Sequence, residues 1–142
     1  MLKKIPKNIS PELMKVLMEM GHGDEIVLAD GNFPAASHAK TLIRLDGQNM
    51  PLVLKSILEF FPLDTYVDSA FNLMATAPTD DFKPEIWSEY EEILKSSTAE
   101  NIKIDALERF EFYERGKQAY AIVATGEEAI YANILLRKGV VK

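Results

Sequence analysis

The chain has 142 residues and a formal net charge of −6, and 47% of its residues are hydrophobic. This length and composition fit one domain with a buried core over residues 1–142, and the acidic balance disfavours a general nucleic-acid binder. The absence of cysteine excludes disulfides and thiol catalysis, and only two histidines leave little basis for a metal site.

The first predicted elements surround a short segment rich in glycine and titratable groups. The basic amino terminus has no apolar signal-peptide core and no apolar run could span a bilayer, so we expect a cytoplasmic location. Residues 10–20 are predicted to form a helix, because Ser10 can cap it and Pro11 suits its first turn. Glu25–Ala29 follows as a strand, and its unbroken apolar run is typical of burial on both faces in a parallel sheet.

Helices and strands alternate through the rest of the chain. The predicted helices are residues 34–40, 51–61, 84–95 and 106–117, and the predicted strands are residues 41–45, 65–75, 101–104, 119–124 and 129–136. This alternation predicts an α/β fold, a single three-layer domain with a mostly parallel central sheet. The four residues that separate the last two strands predict an antiparallel C-terminal hairpin at the edge of that sheet.

Two titratable side chains bracket the strand Glu25–Ala29. His22 lies between Gly21 and Gly23, which clear space around an imidazole that can exchange protons at neutral pH. The alternative for His22 is a surface histidine in a turn. Asp30 follows the strand, where open α/β sheets usually bind ligands, although it could equally be a turn residue.

Later in the chain, four more polar side chains are candidates for a site. Asp64 precedes a predicted strand, and a turn residue is the alternative. Arg109 lies in a charged and aromatic run at helical spacing, where most charges are expected to face solvent. Tyr131 and Asn133 are two residues apart, so on a strand they would share a face. A buried Asn133 would need a hydrogen-bond partner, either a sugar hydroxyl or a neighbouring backbone group.

Several segments together resemble the fucose mutarotase and ribose pyranase family, and more closely its fucose branch. The matching runs include Gly21-His22-Gly23-Asp24 and Asp30-Gly31-Asn32-Phe33-Pro34. The similarity to the fucose branch rests on Arg109-Phe110-Glu111-Phe112-Tyr113-Glu114-Arg115 and Phe61-Pro62-Leu63-Asp64. In chain order the matching segments are residues 3–6, 9–13, 19–25, 30–34, 61–66, 109–115, 121–127 and 131–140. The resemblance therefore extends over essentially the whole chain.

The resemblance implies a cofactor-free isomerase that interconverts the α and β anomers of L-fucose. It implies His22 as the acid/base residue and Asp30, Arg109, Tyr131 and Asn133 as sugar ligands, with Asp64 and Met74 as further members of the site. It also implies a homodecamer of two stacked five-membered rings. His38 departs from the family pattern, since Ala36 and Ser37 separate it from the Asn-Phe-Pro-Ala run, and we assign it no role.

In this mechanism the ring oxygen gains a proton while the anomeric hydroxyl loses one. We expect His22 to protonate the ring oxygen and Asp30, Asp64 or Tyr131 to take the anomeric proton. An extended strand between His22 and Asp30 would separate them by about 16 Å, at about 3.3 Å per residue. We therefore expect a site shared between two subunits. A ribose pyranase and a non-catalytic sugar-binding module remain the alternatives.

Overall fold

A computed structural model describes residues 1–142 and contains five helices and six strands. The helices are α1 Pro11–Glu19, α2 Ala35–His38, α3 Met50–Leu58, α4 Ile86–Ser97 and α5 Arg109–Gln118. The strands are β1 Glu25–Ala29, β2 Leu42–Leu45, β3 Phe71–Met74, β4 Ile104–Leu107, β5 Ala121–Thr125 and β6 Ile134–Arg137. None of these helices is long and apolar enough to cross a lipid bilayer.

The six strands form one sheet in the order β2-β5-β1-β6-β3-β4. β6 is antiparallel to its neighbours β1 and β3, and every other neighbouring pair is parallel. Helices α1, α3 and α4 bury apolar side chains in one core cluster, whereas α2 and α5 contribute to a second cluster. The predicted α/β class, with its mostly parallel sheet between helical layers, is confirmed, as is the antiparallel direction of the C-terminal strand.

The structure corrects the predicted C-terminal hairpin, because β5 and β6 are not neighbours. β1 lies between them and pairs with both. The side chains of Ile134, Leu135 and Leu136 are all fully buried, which requires neighbours on both sides and both faces. An edge position would have exposed part of this apolar run, so β6 lies inside the sheet instead.

Three other predicted elements are shorter or shifted. Of the predicted strand 65–75, only Phe71–Met74 joins the sheet, and the residues before it form a loop that ends where the Ser69 hydroxyl donates to the Phe71 carbonyl. β4 occupies Ile104–Leu107, where a helix was predicted from residue 106, because pairing with β3 overrides local helix preference. The predicted strand 129–136 is confined to Ile134–Arg137.

The strand directions determine where polar groups meet. The carboxyl ends of all five parallel strands form one edge of the sheet, which runs across the strands, and the antiparallel β6 begins there. Asp30, Ala75 and Glu108, which follow β1, β3 and β4, therefore lie near Asn133, which precedes β6. The opposite edge holds the start of β1 and the end of β6, which brings the His22 loop close to Arg137.

Gly126 packs against the backbone of the turn that follows β2. A methyl group added at Gly126 would lie 2.0 Å from the Asp46 carbonyl oxygen. We expect Gly126→Ala to lower the free energy of unfolding by about 1–3 kcal/mol, the usual cost of overpacking. Gly47→Ala is the matched control, since nothing lies within 4 Å of its added methyl group. Urea denaturation measures both variants, and equal losses would contradict the expectation.

Candidate functional site

A cavity of about 590 Å³ opens at the carboxyl ends of β1, β3 and β4. Its lining includes five of the residues singled out in the sequence, namely Asp30, Met74, Arg109, Tyr131 and Asn133. Because these residues come from four separate segments, the sheet topology is what brings them together. The cavity lining combines carboxylates, a guanidinium, phenols and side-chain amides with an apolar wall, a composition suited to a small polyhydroxylated ligand.

Asp30 and Asn133 form the buried floor of this cavity. The Asp30 N–H donates to the Asn133 side-chain oxygen at 2.8 Å, and the Asp30 carboxylate accepts the Asn32 N–H at 3.0 Å. Asp30 is only 5% exposed. Burial raises the pKa of the Asp30 carboxyl, although backbone N–H groups of Asn32, Ala132 and Phe33 oppose the rise. Asp30 is thus the turn residue that one alternative predicted, and it also lines the cavity.

Tyr131 reaches the cavity from a turn rather than from a strand. Its φ of 58° lies in the left-handed region, which residues other than glycine rarely adopt. Two α4 side chains hold this turn: the Trp87 indole N–H donates to the Tyr131 carbonyl at 2.8 Å, and the Tyr90 hydroxyl donates to the Ala132 carbonyl at 2.7 Å. Tyr131 and Asn133 therefore share the cavity, but the predicted strand geometry is not the reason.

Arg109 is the first residue of α5, so its exposed side chain stands at the cavity rather than along the helix. Its Nε donates to the Tyr113 hydroxyl at 3.2 Å, and it forms no ion pair with a carboxylate. The guanidinium thus keeps free donors for a ligand.

Tyr113 and Asp80 also line the cavity, and neither was singled out in the sequence. Tyr113 is one turn after Arg109 in the charged and aromatic run, and this helical spacing is the signal that could have identified it. Asp80 lies in a polar loop whose sequence gives no such signal. His38 is not part of the cavity lining, but its ring packs edge-on against Phe33 and Tyr113.

A second polar cluster lies at the opposite edge of the sheet and contains His22, Asp64 and Arg137. The Asp64 carboxylate, 2% exposed, contacts His22 Nε2 at 3.3 Å and accepts from Arg137 Nε at 3.1 Å. It also accepts the Tyr66 N–H at 3.0 Å. Burial by itself would raise the pKa of Asp64, but hydrogen bonds from Tyr66, His22 and Arg137 outweigh it and lower the pKa.

The loop that carries His22 is held in place by the backbone. Gly23 has a φ of 88°, a conformation that favours glycine, and its N–H donates to the Lys138 carbonyl at 2.8 Å. The Gly21 N–H donates to the Asp24 carboxylate at 2.8 Å. The His22 side chain is nonetheless 45% exposed, so the loop presents an ordered imidazole to the outside of the chain.

His22 and Asp64 do not line the cavity that contains Asp30. β1 separates the two groups, as its length predicted. Each group has large apolar or aromatic side chains exposed beside it: Tyr66 at 67% next to His22, and Phe110 at 65% and Ile130 at 48% at the rim of the cavity. One chain thus contains two spatially separate polar clusters, the Asp30 cavity and the His22 cluster, and each is bordered by exposed apolar or aromatic side chains.

Comparisons with known proteins give consistent matches over the whole chain. The model of the RbsD / FucU transport protein family matches residues 3–141. A fucose mutarotase from Danio rerio is 49% identical over 99% of this chain and 94% of its own length. The structure of a fucose mutarotase from Streptococcus pneumoniae in complex with L-fucose is 57% identical, with a TM-score of 0.94 over 99% of this chain and all of that one.

A more distant structure is that of Bacillus subtilis RbsD complexed with D-ribose. It is 25% identical to this chain, with a TM-score of 0.74 over the full length of both. The sugar-bound relatives thus include one that binds L-fucose and one that binds D-ribose, and the similarity to the former is much greater.

Proposed function

Because the chain belongs to the RbsD / FucU transport protein family, we propose that it interconverts the α and β anomers of L-fucose by opening and reclosing the sugar ring. The observation that supports this most is the 57% identity to a protein whose structure holds L-fucose, over essentially the full length of both chains. The cavity at the strand ends has the mixture of polar and apolar groups that a 6-deoxy sugar requires.

In the proposed site, the cavity binds the sugar. At the buried floor, Asp30 accepts hydrogen bonds from sugar hydroxyls and Asn133 donates to them. Arg109 donates hydrogen bonds from the rim. Met74 supplies an apolar wall. Tyr131 and Tyr113 also line this space. No cofactor is required, because the reaction consists of proton transfers and a C–O bond that opens and re-forms.

The proton donor in this proposal is His22 of a neighbouring copy of the chain. Within one chain, His22 is remote from the cavity and exposed, and both groups have apolar borders that a neighbour could cover. Asp64 accepts a hydrogen bond from His22 and so fixes the orientation of the imidazole. A contact that joins the His22 edge of one copy to the Asp30 edge of the next is head-to-tail, and such contacts form a ring when the rotation between copies closes. This agrees with the expected decamer of two stacked pentamers.

During the reaction, His22 would protonate the ring oxygen while a basic group removes the proton of the anomeric hydroxyl. The C1–O5 bond breaks, and the electron pair of the anomeric O–H bond forms the aldehyde. Rotation about C1–C2 exposes the other face of the carbonyl, and closure reverses the proton transfers. Positioned acid and base groups of this kind contribute about 10²–10⁴-fold to the rate.

The direct test follows freshly dissolved α-L-fucose by polarimetry and anomer exchange by saturation-transfer NMR. We expect the native protein to accelerate L-fucose exchange more than pyranose–furanose exchange of D-ribose. Faster exchange of ribose would favour the pyranase, and binding of fucose without acceleration would favour a non-catalytic module.

Arg109→Met should weaken sugar binding while keeping the apolar stem of the side chain. A hydrogen bond to a charged group contributes about 1.5–3 kcal/mol, so we expect KM for L-fucose to rise about tenfold or more. The kcat should change much less, because Arg109 takes no part in proton transfer. Arg44→Met is the matched control, since Arg44 is exposed, pairs with Asp46 and lies outside the cavity lining. An unchanged KM in Arg109→Met would contradict this role.

A further inference from the structure

Asp80 and Tyr131 form a hydrogen-bonded pair in the wall of the cavity. The Tyr131 hydroxyl donates to Asp80 Oδ2 at 2.9 Å. The same phenolic oxygen accepts the Ala77 N–H at 3.4 Å, and Asp80 Oδ1 accepts the Phe82 N–H at 2.9 Å. The Phe82 ring stacks on the Tyr131 ring with centroids 6.3 Å apart. These contacts fix both the position of the phenol and the direction of its proton.

The direction of this hydrogen bond determines what Tyr131 can do. A phenolic oxygen has one proton and two lone pairs. The proton is donated to Asp80 and one lone pair faces the Ala77 N–H, so one lone pair remains for the cavity. Tyr131 can therefore accept a hydrogen bond from a sugar hydroxyl.

The surroundings of Asp80 suit a proton acceptor. No lysine, arginine or histidine lies within ion-pair distance of its carboxylate, so no neighbouring cation neutralises its charge. Only one backbone N–H donates to it. The Asp30 carboxylate is instead deeply buried and held by several backbone N–H groups. The third carboxylate in the cavity lining, Glu108, accepts the Phe110 and Glu111 N–H groups at the start of α5. Of the three, Asp80 is the one that accepts a hydrogen bond from a hydroxyl group.

We propose that Tyr131 and Asp80 form a relay that removes the proton of the anomeric hydroxyl. This inference rests on the proposed mutarotation of L-fucose and specifies its basic group. The anomeric proton moves to Tyr131 Oη as the phenolic proton moves to Asp80 Oδ2. The released O–H electron pair forms the C1 carbonyl, while the C1–O5 pair moves to the ring oxygen and takes up the proton supplied by the acid. Ring closure reverses each transfer and returns Asp80 to its carboxylate form.

The same contacts also allow a purely structural role, in which Asp80 only closes the loop over residues 75–82. Asp80→Asn separates the two roles. Its side-chain oxygen can still accept the Phe82 N–H, so the loop should keep its shape. Its amide cannot accept the phenolic proton, and so the relay is broken.

The experiment compares Asp80→Asn, Tyr131→Phe and the double variant by saturation-transfer NMR over a range of L-fucose concentrations. We expect each single variant to lower kcat about 100-fold, within the range for positioned acid/base groups, with KM changed less than about threefold. The double variant should be no slower than Tyr131→Phe, because both changes break the same relay. Asp81→Asn, exposed and without side-chain hydrogen bonds, is the control and should retain native kinetics.

Two results would overturn the relay. One is an Asp80→Asn variant with raised KM and unchanged kcat, which would indicate loop closure alone. The other is a double variant whose loss equals the product of the two single losses. Circular dichroism and thermal unfolding identify any variant with an altered fold, and Asp80→Ser then provides a second variant that cannot accept the proton. Failure of the native protein to accelerate fucose exchange would contradict the proposed function itself and is measured first.

Discussion

His22→Ala is expected to slow anomer exchange of L-fucose by about 10²–10⁴-fold, the contribution of a positioned acid/base group. The fold should remain intact, because the His22 side chain is 45% exposed and its loop is held by backbone hydrogen bonds and by Gly23. Polarimetry at a saturating sugar concentration gives the rate, and circular dichroism checks the fold. A rate within threefold of the native protein would remove His22 from the mechanism.

A mixture of two inactive variants tests whether the site is shared. His22→Ala keeps an intact cavity, and Asp30→Asn keeps an intact histidine group. If the site joins two copies head-to-tail, random mixed assemblies made by co-expression regain about one native site in four. If both groups served the same site within one chain, every site would remain defective. No recovery in mixed assemblies, with oligomer formation verified by light scattering, would contradict the shared site.

Asp64→Asn is expected to lower the free energy of unfolding by about 2–4 kcal/mol at neutral pH. Removing one partner of a buried ion pair costs about 3–5 kcal/mol, and partial exposure of Arg137 reduces this cost. Because the pKa of Asp64 is lowered in the folded chain, its stabilising effect is present above the unfolded value near 3.8 and is lost as pH falls through the folded value. The difference between native and variant should therefore shrink in acid.

Urea denaturation at pH 7 and at about pH 3 measures this difference. Asp105→Asn is the matched control, because its pair with Lys103 is at the surface and should contribute less than about 1 kcal/mol. A loss from Asp64→Asn that is the same at both pH values would show that Asp64 acts by packing rather than by charge.

The elements that the sequence predicted best are those determined by local patterns. β1 was predicted with its observed bounds, because a short unbroken apolar run between turn residues is typical of a strand buried on both faces. α1 has the predicted cap, with Leu13 donating its N–H to the Ser10 hydroxyl at 3.1 Å. The β5–β6 hairpin failed because strand order depends on contacts distant in sequence, and no local pattern specifies that β1 inserts between two consecutive strands.

The candidate site likewise contains residues that local sequence patterns identify and residues that depend on contacts distant in sequence. Asp30 was identifiable from its position after a buried strand, and the separation of His22 from Asp30 followed from the length of β1. Tyr131 and Asn133 were expected together on a strand, yet a left-handed turn brings them to the cavity. Asp80 could not be identified, since its role depends on a hydrogen bond to a residue 51 positions away. A polar loop residue with such a partner looks like any other turn residue in the sequence.

The left-handed backbone of Tyr131 has a consequence for how the protein responds to heat. A tyrosine in this conformation is less favourable than a glycine would be, and two hydrogen bonds from Trp87 and Tyr90 on α4 oppose its relaxation. The orientation of the Tyr131 phenol thus depends on α4, a helix that does not contribute to the lining of the cavity. α4 in turn packs in the same core cluster as the sheet, through Tyr90 and Leu94. The phenol therefore keeps its position on warming only as long as this helix stays packed on the sheet.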